Sequence, residues 1–181
     1  MKEAPMNQNL KDEIRNSIRD FALPRYEEIP NVGLYLEQTS KYISEYLECL
    51  GDFGLTGSMI SNYVKKGLLA NPVKKQYNRE QIAYLFFIAV AKCVLSMEDI
   101  RLLIQLQKEA YPSQKAYEYF RMELENVLFY IFGLKENLDV LGNDRTDTKN
   151  MLRALIITAA HKAYLDKYFA ALHGEKSERT D

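Results

Sequence analysis

"TGSMISNYVKKGLL", Thr56 to Leu69, opens on a hydroxyl residue, spaces Ile60, Tyr63 and Val64 along its length, and ends in two lysines, a glycine and two leucines. Each feature has a local meaning. Thr56 can accept a hydrogen bond from a free backbone N–H of a first helical turn. Ile60, Tyr63 and Val64 fall on one side of a helix. Gly67 is placed to end that helix in the left-handed conformation, with Leu68 folding back onto the last turn. The prediction is a compact helix of about three turns. Its outward positions are Ser58, Ser61, Asn62 and Lys65, with Lys66 at the end.

Helical signals continue in both directions. Upstream, Leu36, Tyr42, Ile43, Tyr46, Leu47 and Leu50 mark a helix that the glycine-rich "GDFGLTG" interrupts. The first segment repeats Leu10, Ile14, Ile18 and Phe21 at helical spacing until Pro24, and "LPRYEEIPNVG" reads as an extended or turning connection. Downstream, Pro72 forces an extended chain through "VKKQY" to Asn78. There Asn78 and Gln81 form an approximate capping box ahead of Ile82, Leu85, Phe86, Ala89, Val90 and Cys93. That helix is apolar around most of its circumference and is predicted to be the central core helix. Ser96 starts another, with acidic residues in its first turn, and Pro112 ends it. Two longer patterns follow, Tyr117 to Phe132 and about Thr148 to Leu172. The polar stretch "GLKENLDVLGNDRTDT" joins them and is expected to be mobile.

The expected fold is therefore all-α, with at most one very small hairpin near Val73 to Tyr77. Four segments are expected: an N-terminal helix (1–22), a helix-turn-helix domain (23–112), a C-terminal helical region (113–173) and a disordered tail (174–181). Leu124, Val127, Leu128, Tyr130, Ile131 and Phe132, with Leu152, Leu155, Ile156, Ile157, Ala160 and Leu165, are more apolar surface than two isolated helices tolerate. They serve homodimerisation or effector binding, or they complete a monomeric core.

Composition sets limits on function. The 181 residues are 47% hydrophobic and 27% charged, and the formal net charge is −1. No basic excess marks the chain as a whole, so any nucleic-acid role rests on how charge is distributed. The N-terminus lacks an export signal. The longest apolar run, Ile82 to Ala91, is stopped by Lys92, well short of the roughly 20 residues a membrane helix needs. A soluble, cytoplasmic protein is expected, with Cys49 and Cys93 as buried free thiols in a reducing compartment.

No enzyme chemistry is expected, and no metal or cofactor. His161 and His173 lie twelve residues apart, not at the i, i+4 spacing that brings two imidazoles to one metal, and read as solvated. "GDFGLTG" lacks the phosphate-loop lysine and a preceding strand, so it reads as a turn. Most tyrosines, among them Tyr42, Tyr46, Tyr117, Tyr164 and Tyr168, sit at apolar helical positions, where a buried ring with a surface hydroxyl is ordinary. Tyr63 is assigned to the core.

From Thr56 to Glu80, Lys65, Lys66, Lys74, Lys75 and Arg79 face one acid, Glu80, in an otherwise neutral chain. The order helix, glycine turn, short helix, extended basic segment, helix is that of a helix-turn-helix followed by a wing. Such a layout would set a recognition helix (57–66) in the major groove of double-stranded DNA and a basic wing (72–79) against phosphates. The candidate DNA-binding residues are Ser58, Ser61, Asn62, Lys65, Lys66, Lys74, Lys75, Tyr77 and Arg79. An ordinary solvated helix beside a basic loop is the competing explanation.

"GSMISNYVKKGLLANPVKKQYNREQIAYL", with "LPRYEEIPNVGLYLEQTSKYI" before it and "CVLSMEDI" after it, closely resembles a bacterial family known only as domain of unknown function 1836, over Leu23 to Ile104. That resemblance implies no activity. More distantly, the region is similar to the DNA-binding domain of MerR-type regulators. Tyr63, Gly67, Leu68, Leu69, Pro72, Lys75, Tyr77 and Ser96 stand where that family has a Tyr-x-x-x-Gly-Leu-Leu helix end, a proline, a basic wing, a tyrosine and a helix start. Two positions depart from it. Ser61 replaces the usual arginine, Asn62 replaces the first of a tyrosine pair, and the wing is short. The resemblance implies a DNA-binding transcriptional regulator; the alternative is a protein-interaction module that keeps the helix-turn-helix fold without binding DNA.

Overall fold

A computed structural model describes residues 8–142 and 146–178 of the chain. The elements are α1 (Gln8–Asn16), β1 (Leu34–Tyr35), α2 (Leu36–Leu47), α3 (Gly57–Lys65), β2 (Gln76–Tyr77), α4 (Arg79–Ala91), α5 (Met97–Ala110), α6 (Ser113–Ile131) and α7 (Asp147–Glu178), with short 3-10 turns at Tyr26–Glu28 and Glu48–Leu50. The fold is all-α apart from the two-residue strands.

Helix α4 starts where its capping box closes. Asn78 Oδ1 accepts from the Gln81 N–H at 2.9 Å, and Gln81 Oε1 accepts from the Asn78 N–H at 2.9 Å. Beyond that cap, Ile82, Leu85, Phe86, Ile88, Ala89 and Val90 are all fully buried, and α2, α6 and α7 pack against α4. A helix apolar on every face must be surrounded, and this one is. Phe86 lies within ring contact of Tyr42, Tyr46 and Tyr117, at centroid separations of 6.0, 5.8 and 6.2 Å. The Tyr117 hydroxyl is not at the surface: it donates to the buried carbonyl of Pro24 at 2.9 Å, which ties α6 to the N-terminal segment.

The C-terminal helices complete this same core. Leu124, Val127, Leu128 and Phe132 of the α6 end and Leu155, Ile156 and Ala160 of α7 join one continuous cluster with residues of α2, α3 and α4. Helix α1 packs on α7, burying Ile14, with Ile18 and Phe21 following it into the core. Residues 8–22, 113–142 and 146–173 therefore share their hydrophobic interior with 23–112. Tyr130 and Leu165, grouped by sequence with the buried positions, are exposed.

Several expectations are corrected. The expected small hairpin near Val73 to Tyr77 is reduced to a single antiparallel bridge, Val73 opposite Gln76, and the strands themselves pair elsewhere: β2 pairs antiparallel with β1, Leu34 opposite Tyr77 and Tyr35 opposite Gln76, so the small sheet joins the chain before α2 to the chain before α4. Helix α6 begins at Ser113, directly after Pro112, because a proline is acceptable where no helical N–H is needed. Helix α7 runs on to Glu178, where a disordered tail was expected from 174; residues 179–181 lie outside the described residues, as do 143–145 of the polar connection. Part of that connection is held: Asn126 of α6 donates to Asp139 O at 3.0 Å and accepts from Lys135 Nζ at 2.7 Å. Both cysteines are free but only half-buried, and burial raises the pKa of each. His161 and His173 are exposed. No helix among the described residues is long and apolar enough to cross a membrane.

Glu123 is the one carboxylate sunk completely into the described core, at 0% exposure between α6 and α7. Arg153 Nε lies 3.0 Å from its Oε1, yet neither oxygen has an aligned hydrogen bond. Burial outweighs the arginine and raises the carboxyl pKa above its ordinary 4.5. Between the unfolded and the raised folded value the folded state binds more protons, so stability falls as pH climbs through that window and levels off above it. Glu123→Gln keeps the shape but cannot ionise. Thermal melts from about pH 4.5 to about pH 7 are expected to show a fall for the wild type that the variant lacks.

Candidate nucleic-acid interface

Helix α3 forms as its sequence requires at both ends. Thr56 Oγ1 accepts from the Met59 N–H at 3.2 Å. At the other end Gly67, at φ +71°, lets the Leu68 N–H reach Tyr63 O and its own N–H reach Val64 O, both at 2.9 Å. This is the paired closure of a helix ending in a left-handed residue. Ile60 and Tyr63 are buried, and desolvation raises the Tyr63 pKa.

Three contacts that local sequence patterns do not reveal hold α3 in place. Arg101 of α5 donates to Lys66 O at 2.7 Å, setting a cation at the negative end of the helix. Gln81, buried at the start of α4, donates to Ala70 O at 2.8 Å, fixing the chain that leaves α3. From α2, the hydroxyls of Ser40 and Ser44 both meet the Leu55 carbonyl, and Ser44 Oγ also accepts from the Leu55 N–H at 3.3 Å. Gly54 belongs to that junction: a Cβ there would lie 2.9 Å from Ser44 Oγ.

The candidate residues divide. Ser58, Ser61, Asn62 and Lys65 are exposed and share one shallow groove beside the start of α2. Glu37 also lines that groove, lying against the space left by Gly57, and it brings a negative charge that sequence reasoning did not assign to the site. Lys66 is exposed at the helix end. Lys74 and Lys75 are exposed at the tip of a tight turn closed by the Gln76 N–H to Val73 O at 2.9 Å. Both have positive φ, 51° and 66°, the pattern of a type I′ turn. Asn-Gly is the usual occupant of such a pair, because left-handed backbone strains side chains with a Cβ.

Two candidates are removed from the contact surface. Tyr77 is 4% exposed, because the β1–β2 ladder turns its ring inward; its hydroxyl pKa is raised by that burial. Arg79 is committed internally: its side chain is 20% exposed, Nη1 pairs with Glu27 at 2.8 Å, Nη2 meets Glu27 O and Nε donates to Ile29 O at 2.8 Å. The segment after Pro24 runs beside the start of α4, a proximity of residues about fifty apart that sequence spacing cannot show.

A family model described as a domain of unknown function (DUF1836) matches residues 24–120. The chain belongs to this family. The matched region reaches beyond α5 into α6, past the Ile104 limit that the sequence motifs marked. No curated protein and no solved structure matches the chain.

Replacing Lys74 by Asn and Lys75 by Gly is expected to stabilise this DUF1836 protein by about 1–2 kcal/mol, read from the urea midpoint, because both positions then tolerate positive φ. Arg79→Ala is expected to act oppositely, lowering stability by about 1–3 kcal/mol through loss of charge-assisted bonds. An unchanged melting temperature for that variant would return Arg79 to the exposed surface.

Proposed function

We propose that this protein is a cytoplasmic DNA-binding transcriptional regulator, with α3 as the recognition helix and the turn at Lys74–Lys75 as a much reduced wing. The observation that carries this reading is the pair of exposed lysines held at positive φ on the turn tip, where an unstrained Asn-Gly pair would otherwise serve. Strain kept in an exposed turn is what a contact surface tolerates and a mere connection has no use for. Supporting it, α3 directs short polar side chains outward. Asn62 is a residue type that pairs with adenine, and Lys65 and Lys66 are ones that neutralise phosphate. No catalytic role is assigned to any residue.

Reading a two-fold DNA site needs a second copy. Leu165 and Phe169 remain exposed on α7, and we place a homodimer contact there.

A protein-interaction module is the second reading, favoured by Glu37 in the groove and by Ser61 where the MerR-type helix carries arginine. The two separate in one experiment. Fluorescence anisotropy with pooled genomic fragments, titrated across salt, is expected to show affinity that falls steeply with ionic strength. Lys74→Glu with Lys75→Glu is expected to abolish it while helicity and melting temperature hold, since both side chains are exposed. Wild-type protein that is folded and yet binds no fragment at low salt decides for the interaction module.

A further inference from the structure

Residues of α4, α5, α6 and the first turns of α7 enclose a partly open cavity of about 110 Å³. Its wall is almost wholly carbon, with Ala83, Phe87, Leu103, Ile104, Phe120 and Leu152 around it. The lining residues of α4, α5 and α6 fall within the family match at 24–120, whereas those of α7 lie beyond it. Rings form part of the wall: Phe87 and Phe120 meet edge to face with centroids 5.7 Å apart, and Tyr117 lies 6.3 Å from Phe120. Such an arrangement offers faces and edges against which a further ring packs well.

Most polar groups of the lining are already engaged. Tyr117 presents only its ring, because its hydroxyl donates to Pro24 O at 2.9 Å. Tyr84 Oη meets Gln107 Oε1 at 3.0 Å and Ser113 Oγ at 3.2 Å, Gln107 Nε2 donates to Tyr111 O at 2.8 Å, and the Ser113 hydroxyl donates to Glu80. Lys115 and Lys149 hold their ammonium groups 5.4 Å and 4.5 Å from the ring centres of Tyr111 and Tyr119, and Lys149, Tyr111 and Tyr119 each have a further partner. Among the described residues, the buried side-chain oxygens without a hydrogen bond are those of Glu123, which is not in this wall. The interior therefore asks for no polar ligand, and a water inside it would find few partners. A charged guest would give up hydration to reach lysines that are already engaged, and a pair with an exposed lysine returns little.

An enclosed apolar cavity of about 150 Å³ stays dry and takes up benzene. We propose that this cavity is a binding site for a small uncharged apolar molecule of about benzene size, whose ring packs against Phe87 and Phe120 and joins α4, α5 and α6 to α7. The site stands apart from the DNA reading, and its test uses no DNA. Benzene is the probe for the full chain, and benzoate is the same ring carrying a charge. Calorimetry is expected to give a benzene Kd on the order of 1 mM, with benzoate weaker by about tenfold or more. Amide shifts in a ¹⁵N-labelled sample should fall together at 83–87, 103–107, 116–120 and 148–152. Ala116→Phe, which adds a ring at a lining position of α6, should lose both the heat and the shifts; Leu152→Phe does so from α7 if the first variant does not fold. No heat and no amide shift with benzene overturns the site, and so does a folded filled variant that binds benzene as the wild type does. Shifts that leave out 148–152 overturn the part given to α7. Benzoate binding as tight as that of benzene overturns the assignment of an uncharged ligand.

Discussion

Helix α4 is apolar around most of its circumference, and that constraint organises the rest of the molecule. Ile82, Leu85, Phe86, Ile88, Ala89 and Val90 are all fully buried, and the buried Ala83 and Ala91 carry the covered surface further round its axis. At roughly 1.5–3 kcal/mol for each large side chain removed from water, leaving any one side uncovered would sacrifice much of the net stability of a domain this size. Covering every side requires helices from distant parts of the chain: α2 from before the glycine turn, α6 and α7 from beyond Pro112. The C-terminal third is thus drawn into the core of the family region, and not held apart from it.

The same helix fixes the candidate interface at its N-terminal end. Gln81 reaches back to Ala70 O, Asn78 closes the cap, and Tyr77 one residue earlier is pulled inward. What is left outside is the turn carrying Lys74 and Lys75, with α3 anchored behind it by Ser40, Ser44 and Arg101. A short helix of nine residues has little stability alone. Its orientation comes from these anchors.

Much of this was legible in the sequence. The caps at Thr56, Asn78 and Ser96 and the glycine ending at Gly67 formed as the residues predict, because each depends on atoms within a few positions of one another. The outward positions of α3 followed from its apolar spacing alone. The removal of Tyr77 and Arg79 did not, since the first depends on pairing with Leu34 and the second on Glu27 and Ile29. The left-handed backbone at Lys74 and Lys75 left no trace in residue type either: two lysines carry no signal for such a turn. Glu37 was missed in the same way, being twenty residues before Gly57 and beside it only in the fold.

By itself, then, the amino-acid sequence determined an all-helical chain, where the helices capped at Thr56, Asn78 and Ser96 start, which helix must lie at the centre and which face of α3 looks outward. These are matters of capping geometry and of the periodicity with which apolar residues recur, both local. Tertiary structure alone decided which charges remain available. It sealed Arg79 into a network, buried Glu123 and set Glu37 beside α3. The field and solvation around a charge depend on everything within several ångströms of it, however far away along the chain.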